Sequence, residues 1–149
     1  MARFRYRMQN ILDVKSKLEE QAKLEFALAN RALQEEEEKL EELIARREAY
    51  KAEIVRLLQD KLHLKRIREN EDAVAVMKEL IAVQRLQVKA AERKVDVARS
   101  KLQEVMQERK THEKLRERAF DEFVQEENAK ESKEIDELTS YRYGQQEQE

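Results

Sequence analysis

Two histidines, His63 and His112, are the only side chains of this sequence that ordinarily titrate near neutral pH. A metal site would need both of them, or one with converging acids, at a common point. Four consecutive acids, Glu35 to Glu38, offer carboxylates to a hard cation. A helix spreads consecutive carboxylates around its axis, and calcium or magnesium needs them to converge, so a solvated helix face is the expected role. There is no Cys, which excludes thiolate chemistry, disulfides and Cys-ligated metals. No Ser stands with a His and an acid in a way that suggests a nucleophile. A single Gly, Gly144, and no Pro leave nothing from which to build a phosphate-cradling loop. These residues predict a protein that is not an enzyme, with no catalytic residues, no metal and no cofactor.

What remains is binding chemistry. Arg3-Phe4-Arg5-Tyr6-Arg7 alternates cation with aromatic. Aromatics stack on bases and arginines grip phosphate, but no basic stripe continues the pattern, so nucleic acid is not an expected partner. Phe120, Phe123 and Val124 form an apolar face after Arg109, His112 and Arg116 interrupt one. Such a collection suits a protein-docking tip and equally suits the closed end of a coil. Ala73-Val74-Ala75-Val76-Met77 with Leu80 and Ile81 is more apolar than one packing seam requires. Val74, Met77 and Ile81 belong to a seam, whereas Val76, Leu80 and Val83 point elsewhere. Two readings stand: a broader core where the chain turns, or an exposed strip for a partner.

The elements that carry these residues are helices. Ala, Leu, Glu, Lys and Arg supply 90 of the 149 residues, the composition of long helices or coiled coils. With 43% charged and 5% aromatic residues there is too little apolar surface for a broad globular core, so a narrow seam between helices is expected. The net charge of −2 argues against a general nucleic-acid or membrane binder. The longest apolar run, Ala73 to Met77, is far short of the roughly 20 residues a bilayer span needs. The N-terminal arginines are followed by no apolar stretch, so no secretory signal is expected and the cytoplasm is the expected location.

A seven-residue frame tests the seam. With position a at Leu12, Glu19, Phe26, Leu33, Leu40, Arg47, Ile54 and Lys61, position d falls on Met8, Lys15, Ala22, Ala29, Glu36, Leu43, Tyr50, Leu57 and Leu64. Most of these are apolar. The second half needs a shifted frame, with a at Val74, Ile81, Val88, Val95 and Leu102 and d at Met77, Gln84, Ala91, Ala98 and Val105. The shift coincides with the polar stretch Arg66 to Asp72, where Asn70 and Asp72 suit a turn or a cap. The expected fold class is therefore all-α, a long antiparallel two-helix coiled-coil hairpin. Helix 1 is expected over about residues 5–68, a turn at about 69–72 and helix 2 over about 73–140. Together they predict a single hairpin over 1–143, with 144–149 as a disordered tail. Residues 1–17 are basic and 121–138 acidic. A hairpin sets these opposite charges side by side, whereas a parallel dimer stacks like on like, so a monomeric hairpin is favoured over a generic parallel scaffold.

The two ends also carry a recognisable pattern. Phe4 to Lys15, reading FRYRMQNILDVK, resembles the opening of the FliJ family of flagellar type III export proteins. Glu113 to Phe120, reading EKLRERAF and continuing to Lys133 through Leu138, resembles that family's C-terminal signature. The resemblance implies a coiled-coil hairpin like the stalk of a rotary ATP synthase, docked in the FliI-type export ATPase hexamer and stimulating its hydrolysis. It also implies contact with the linker of the FlhA export gate, binding of flagellar export chaperones, and a peripheral position on the cytoplasmic face of the membrane at the flagellar base. Carried onto this chain, the ATPase-facing residues are Phe4, Tyr6, Arg7, Phe120, Phe123, Glu127, Glu134 and Asp136. The gate-facing strip is Val76, Met77, Leu80 and Val83, small aliphatics where other members have an aromatic. The stalk of a virulence-type secretion ATPase is the nearest alternative, sharing the architecture but usually not these ends.

Overall fold

The computed structural model describes residues 2–59 and 63–147. The described residues form two helices, α1 (Gln9–Gln59) and α2 (Leu64–Glu147), and no strand. The fold is all-α, a helical hairpin, and it divides into two compact units. One unit joins the residues up to Glu20 with those from Glu104 onward; the other is Gln21–Gln103. In each, a stretch of α1 packs antiparallel against a stretch of α2.

In the Gln21–Gln103 unit the buried residues are Ala22 and Leu57 of α1 and Ile67, Met77, Ile81, Val88, Ala91 and Val95 of α2. Seven occupy a or d positions of the frames read from the sequence, and the eighth, Ile67, stands one heptad before the second frame begins. Where the seam is polar, polar meets polar. Gln84 donates through Nε2 to the Glu36 carboxylate at 2.5 Å and to the Glu36 carbonyl at 2.9 Å, and both residues sit at d. Lys101 pairs with Glu25 at 3.3 Å, and the Arg99 guanidinium lies 5.7 Å from the centre of the Phe26 ring.

The helix limits differ from the sequence expectation, and the cause lies in Ile67. It is buried, and it stands one heptad before Val74, so the frame of the second helix reaches back through the polar stretch. Arg66 to Asp72 is accordingly helical rather than a turn. The Asn70 amide donates to the Arg66 carbonyl at 2.8 Å, a bond along the helix instead of around a bend. α1 ends at Gln59 and α2 begins at Leu64, and residues 60–62, where the expected first helix would have continued, lie outside the described residues. His63 is exposed just before α2, and its carbonyl accepts from the Ile67 N–H at 3.0 Å. At the other end, Gly144 to Glu147 belong to α2 rather than to a disordered tail. One Gly weakens a helix without ending it, and Gln145 bonds back to the Tyr141 hydroxyl at 3.0 Å. Residues 148 and 149 lie outside the described residues.

Candidate functional site

Residues 2–8 precede α1 and are not helical. The Gln9 N–H donates to the Tyr6 carbonyl at 3.2 Å, and this turn brings the chain's first aromatics onto α2. Phe4 meets Phe120 edge to face, with centroids 5.2 Å apart, and lies 5.4 Å from Phe123. Phe120 and Phe123 are three residues apart and so share one face of α2. The Arg116 guanidinium lies 5.8 Å from the Phe4 ring centre and donates to Gln9 Oε1 at 3.0 Å. Gln9 in turn donates to Asp13 at 2.9 Å. A three-ring cluster is thus held by one cation and one amide.

The cluster is not sealed. Phe120 is 47% exposed, and Phe4, Tyr6 and Phe123 are half-buried. Open grooves flank it. One, of about 460 Å³, is lined by Arg3, Phe4, Arg5, Tyr6, Gln9 and Arg116. Another adds Arg7, Phe123, Glu122 and Glu126, so basic and acidic groups share its walls. Beyond it, Glu127 is half-buried, while every side chain from 128 to 147 is exposed, Glu134 and Asp136 included. Ile135, Leu138, Tyr141 and Tyr143 present apolar surface there, each more than 60% exposed.

Behind the aromatics the same unit is pinned by charge. Arg109 donates to Glu19, which is buried in the seam, and pairs with Glu113 at 2.7 Å. Glu113 and then Glu19 raise the Arg109 pKa by accepting its hydrogen bonds. Lys15 donates to Glu108 at 2.8 Å, and that hydrogen bond, with the lysine's charge, holds the Glu108 carboxyl below the ordinary glutamate value. The half-buried His112 keeps its Nδ1 atom without a hydrogen-bond partner among the described residues.

The candidate residues thus fall into three settings. Phe4, Phe120 and Phe123 are brought together, with Tyr6 and Arg7 on the same grooves. Glu134 and Asp136 stand on the exposed part of α2 and are not among the residues that line these grooves. Of the gate-facing strip, in the Gln21–Gln103 unit, Val76, Leu80 and Val83 are exposed, whereas Met77 is 7% exposed and serves the seam. Gln9 and Arg116 are not among the expected site residues, Arg116 being read as an interruption of the apolar face. No local spacing could have found them, because Arg116 meets Phe4 and Gln9 across more than a hundred residues of chain. The described residues contain no group of three or more His, Asp or Glu placed to hold a metal ion. No helix among them is long and apolar enough to cross a membrane.

Compared with known proteins, no curated sequence and no solved structure matches this chain. The family model described as flagellar FliJ protein matches residues 4–148.

Proposed function

The chain belongs to the FliJ family of flagellar export-related proteins, and on that premise we propose that it is the stalk-like, non-catalytic partner of the FliI-type export ATPase. In this reading the segment around Phe4 and Phe120 docks in the centre of the ATPase hexamer and stimulates its hydrolysis. Tyr6, Arg7, Phe123 and Glu127 complete the docking surface, and the exposed Glu134 and Asp136 extend it along α2. The observation that carries the reading is the half-open aromatic cluster. Rings bury much area at little entropic cost, and mixed charge around them supplies orientation without general stickiness.

Val76, Leu80 and Val83 are proposed to contact the linker of the FlhA export gate, with Met77 supporting them from the seam. Export chaperones are proposed as further partners. The chain acts on the cytoplasmic side, held at the membrane through the export machine.

The deciding experiment measures hydrolysis by the FliI-type ATPase from the same source, with and without this chain. Saturable stimulation is expected. No effect on an ATPase that is active and forms rings overturns the reading. A Phe4→Glu, Phe120→Glu double variant should lose the stimulation while keeping its helical circular dichroism. Full stimulation by that variant removes the aromatic cluster from the docking surface.

A further inference from the structure

The seam of α2 uses its a and d positions, yet a second apolar row runs along another side of the same helix. Val76, Val83, Ala90 and Val97 recur every seven residues, and Leu80 falls four after Val76. With Leu86 alongside, the large members of this row are between 44 and 70% exposed. All lie within the Gln21–Gln103 unit. A seven-residue apolar repeat fits a helix laid along its length better than a single inserted side chain. From 76 to 97 the row extends about 32 Å at 1.5 Å per residue.

The adjoining row says what covers it. Glu79, Leu86 and Arg93 also stand seven apart: acid, apolar, base. Glu79 and Arg93 are exposed, and neither makes an ion pair among the described residues. A two-fold axis at Leu86 sets that leucine against its own copy and each Glu79 against the other chain's Arg93. A parallel arrangement sets glutamate on glutamate. Self-complementarity under a two-fold rotation is the requirement of an isologous interface.

We propose that this face of α2 pairs antiparallel with the same face of a second copy of the chain, about Leu86. The intramolecular seam is untouched, so each copy keeps its own helical pairing. The interface is short and its rim charges are exposed, so the association is weak, reversible and dependent on concentration. Pairing covers Val76, Leu80 and Val83, and a paired chain therefore withholds them from the export gate. That consequence rests on the proposed gate contact; the pairing itself does not.

Sedimentation equilibrium on the full chain tests it. The weight-average mass should climb from 17.9 kDa toward twice that value as concentration rises into the millimolar range. Leu86→Asp, at an exposed position outside the seam, should hold the mass at the single-chain value with unchanged helical circular dichroism. Glu79→Arg and Arg93→Glu should each stay single where the parent chain pairs. An equimolar mixture of those two variants should recover the doubled mass, as should the double variant, which a folding defect would not produce. A parent chain that remains at 17.9 kDa throughout, a Leu86→Asp chain that still pairs, or a mixture no heavier than its components overturns the proposal.

Discussion

Glu19 occupies an a position of α1 where an apolar residue is the rule, and Arg109 occupies an a position of α2 on the same terms. The fold places one against the other, just as it places Gln84 against Glu36. A buried polar pair contributes less to stability than to the choice of register, because any slip leaves each charge desolvated without its partner. Glu19→Leu should lower the urea midpoint of unfolding without changing its slope. Adding Arg109→Leu should recover most of the loss. Equal losses from Glu19→Leu in both backgrounds would show that the two residues are uncoupled. Acid pH should act through other pairs, one in each compact unit. Lys15 depresses the Glu108 carboxyl and Arg56 depresses that of Glu53, each first of all through its hydrogen bond. A carboxyl depressed by folding contributes stability above its unfolded value and loses it as pH falls through the folded one. The thermal midpoint should therefore drop as pH falls from neutrality below the ordinary glutamate range. Lys15→Met should shrink that drop, as a pH series of melting curves would register.

At the scale of the element, Ile67 decides where α2 begins. Truncating a buried isoleucine removes transfer energy and leaves a cavity, so Ile67→Ala should cost about 2–4 kcal/mol in urea unfolding. A near-neutral result would mean that residues 64–72 are not packed as helix. Amide exchange should agree, with protection running from about Arg68 into the body of α2. The other end of α2 offers a gentler test. Gly144 is helical, and a Cβ added there meets nothing within 4 Å. Gly144→Ala should favour the last turns of α2 locally by about 1 kcal/mol. Slower amide exchange over residues 141–147, with the global midpoint unmoved, is the expected signature.

At the scale of the whole molecule, membership of the FliJ family makes this a flagellar export-related protein, and its proposed contacts fall in different compact units. Those contacts should therefore separate by mutation. Leu80→Glu with Val83→Glu replaces exposed side chains and spares the seam, so helicity should be retained. This variant should bind the gate linker at least tenfold more weakly in calorimetric titration and still stimulate the ATPase fully. The Phe4→Glu, Phe120→Glu variant should show the reverse pattern. Loss of both activities in either variant would argue for one shared surface. Met77→Glu is the wrong probe, because a charge there is buried in the seam and damages folding before it tests binding.

The sequence alone determined the helices, the spacing of the seam and the family. Period, composition and the absence of Pro are local properties, and the terminal motifs are read directly. It also held the sign of each polar seam position, but not its partner. Partnership depends on where the chain reverses, and an Asn- and Asp-bearing polar stretch looked like a turn until burial of Ile67 made it helix. Ending α1 at Gln59 and starting α2 at Leu64, in place of a turn at 69–72, reassigns every residue's opposite number. That is why Glu19 meets Arg109, Lys15 meets Glu108 and Glu36 meets Gln84. The heptad frame already set Met77 apart from Val76, Leu80 and Val83, but only tertiary packing decided between a broader core and an exposed strip, since an apolar residue off the seam reads alike in a sequence whether its side chain meets a neighbour or water. The same packing folded Phe4 back onto Phe120 from a non-helical lead, a contact that depends on sites more than a hundred residues apart and on no local period.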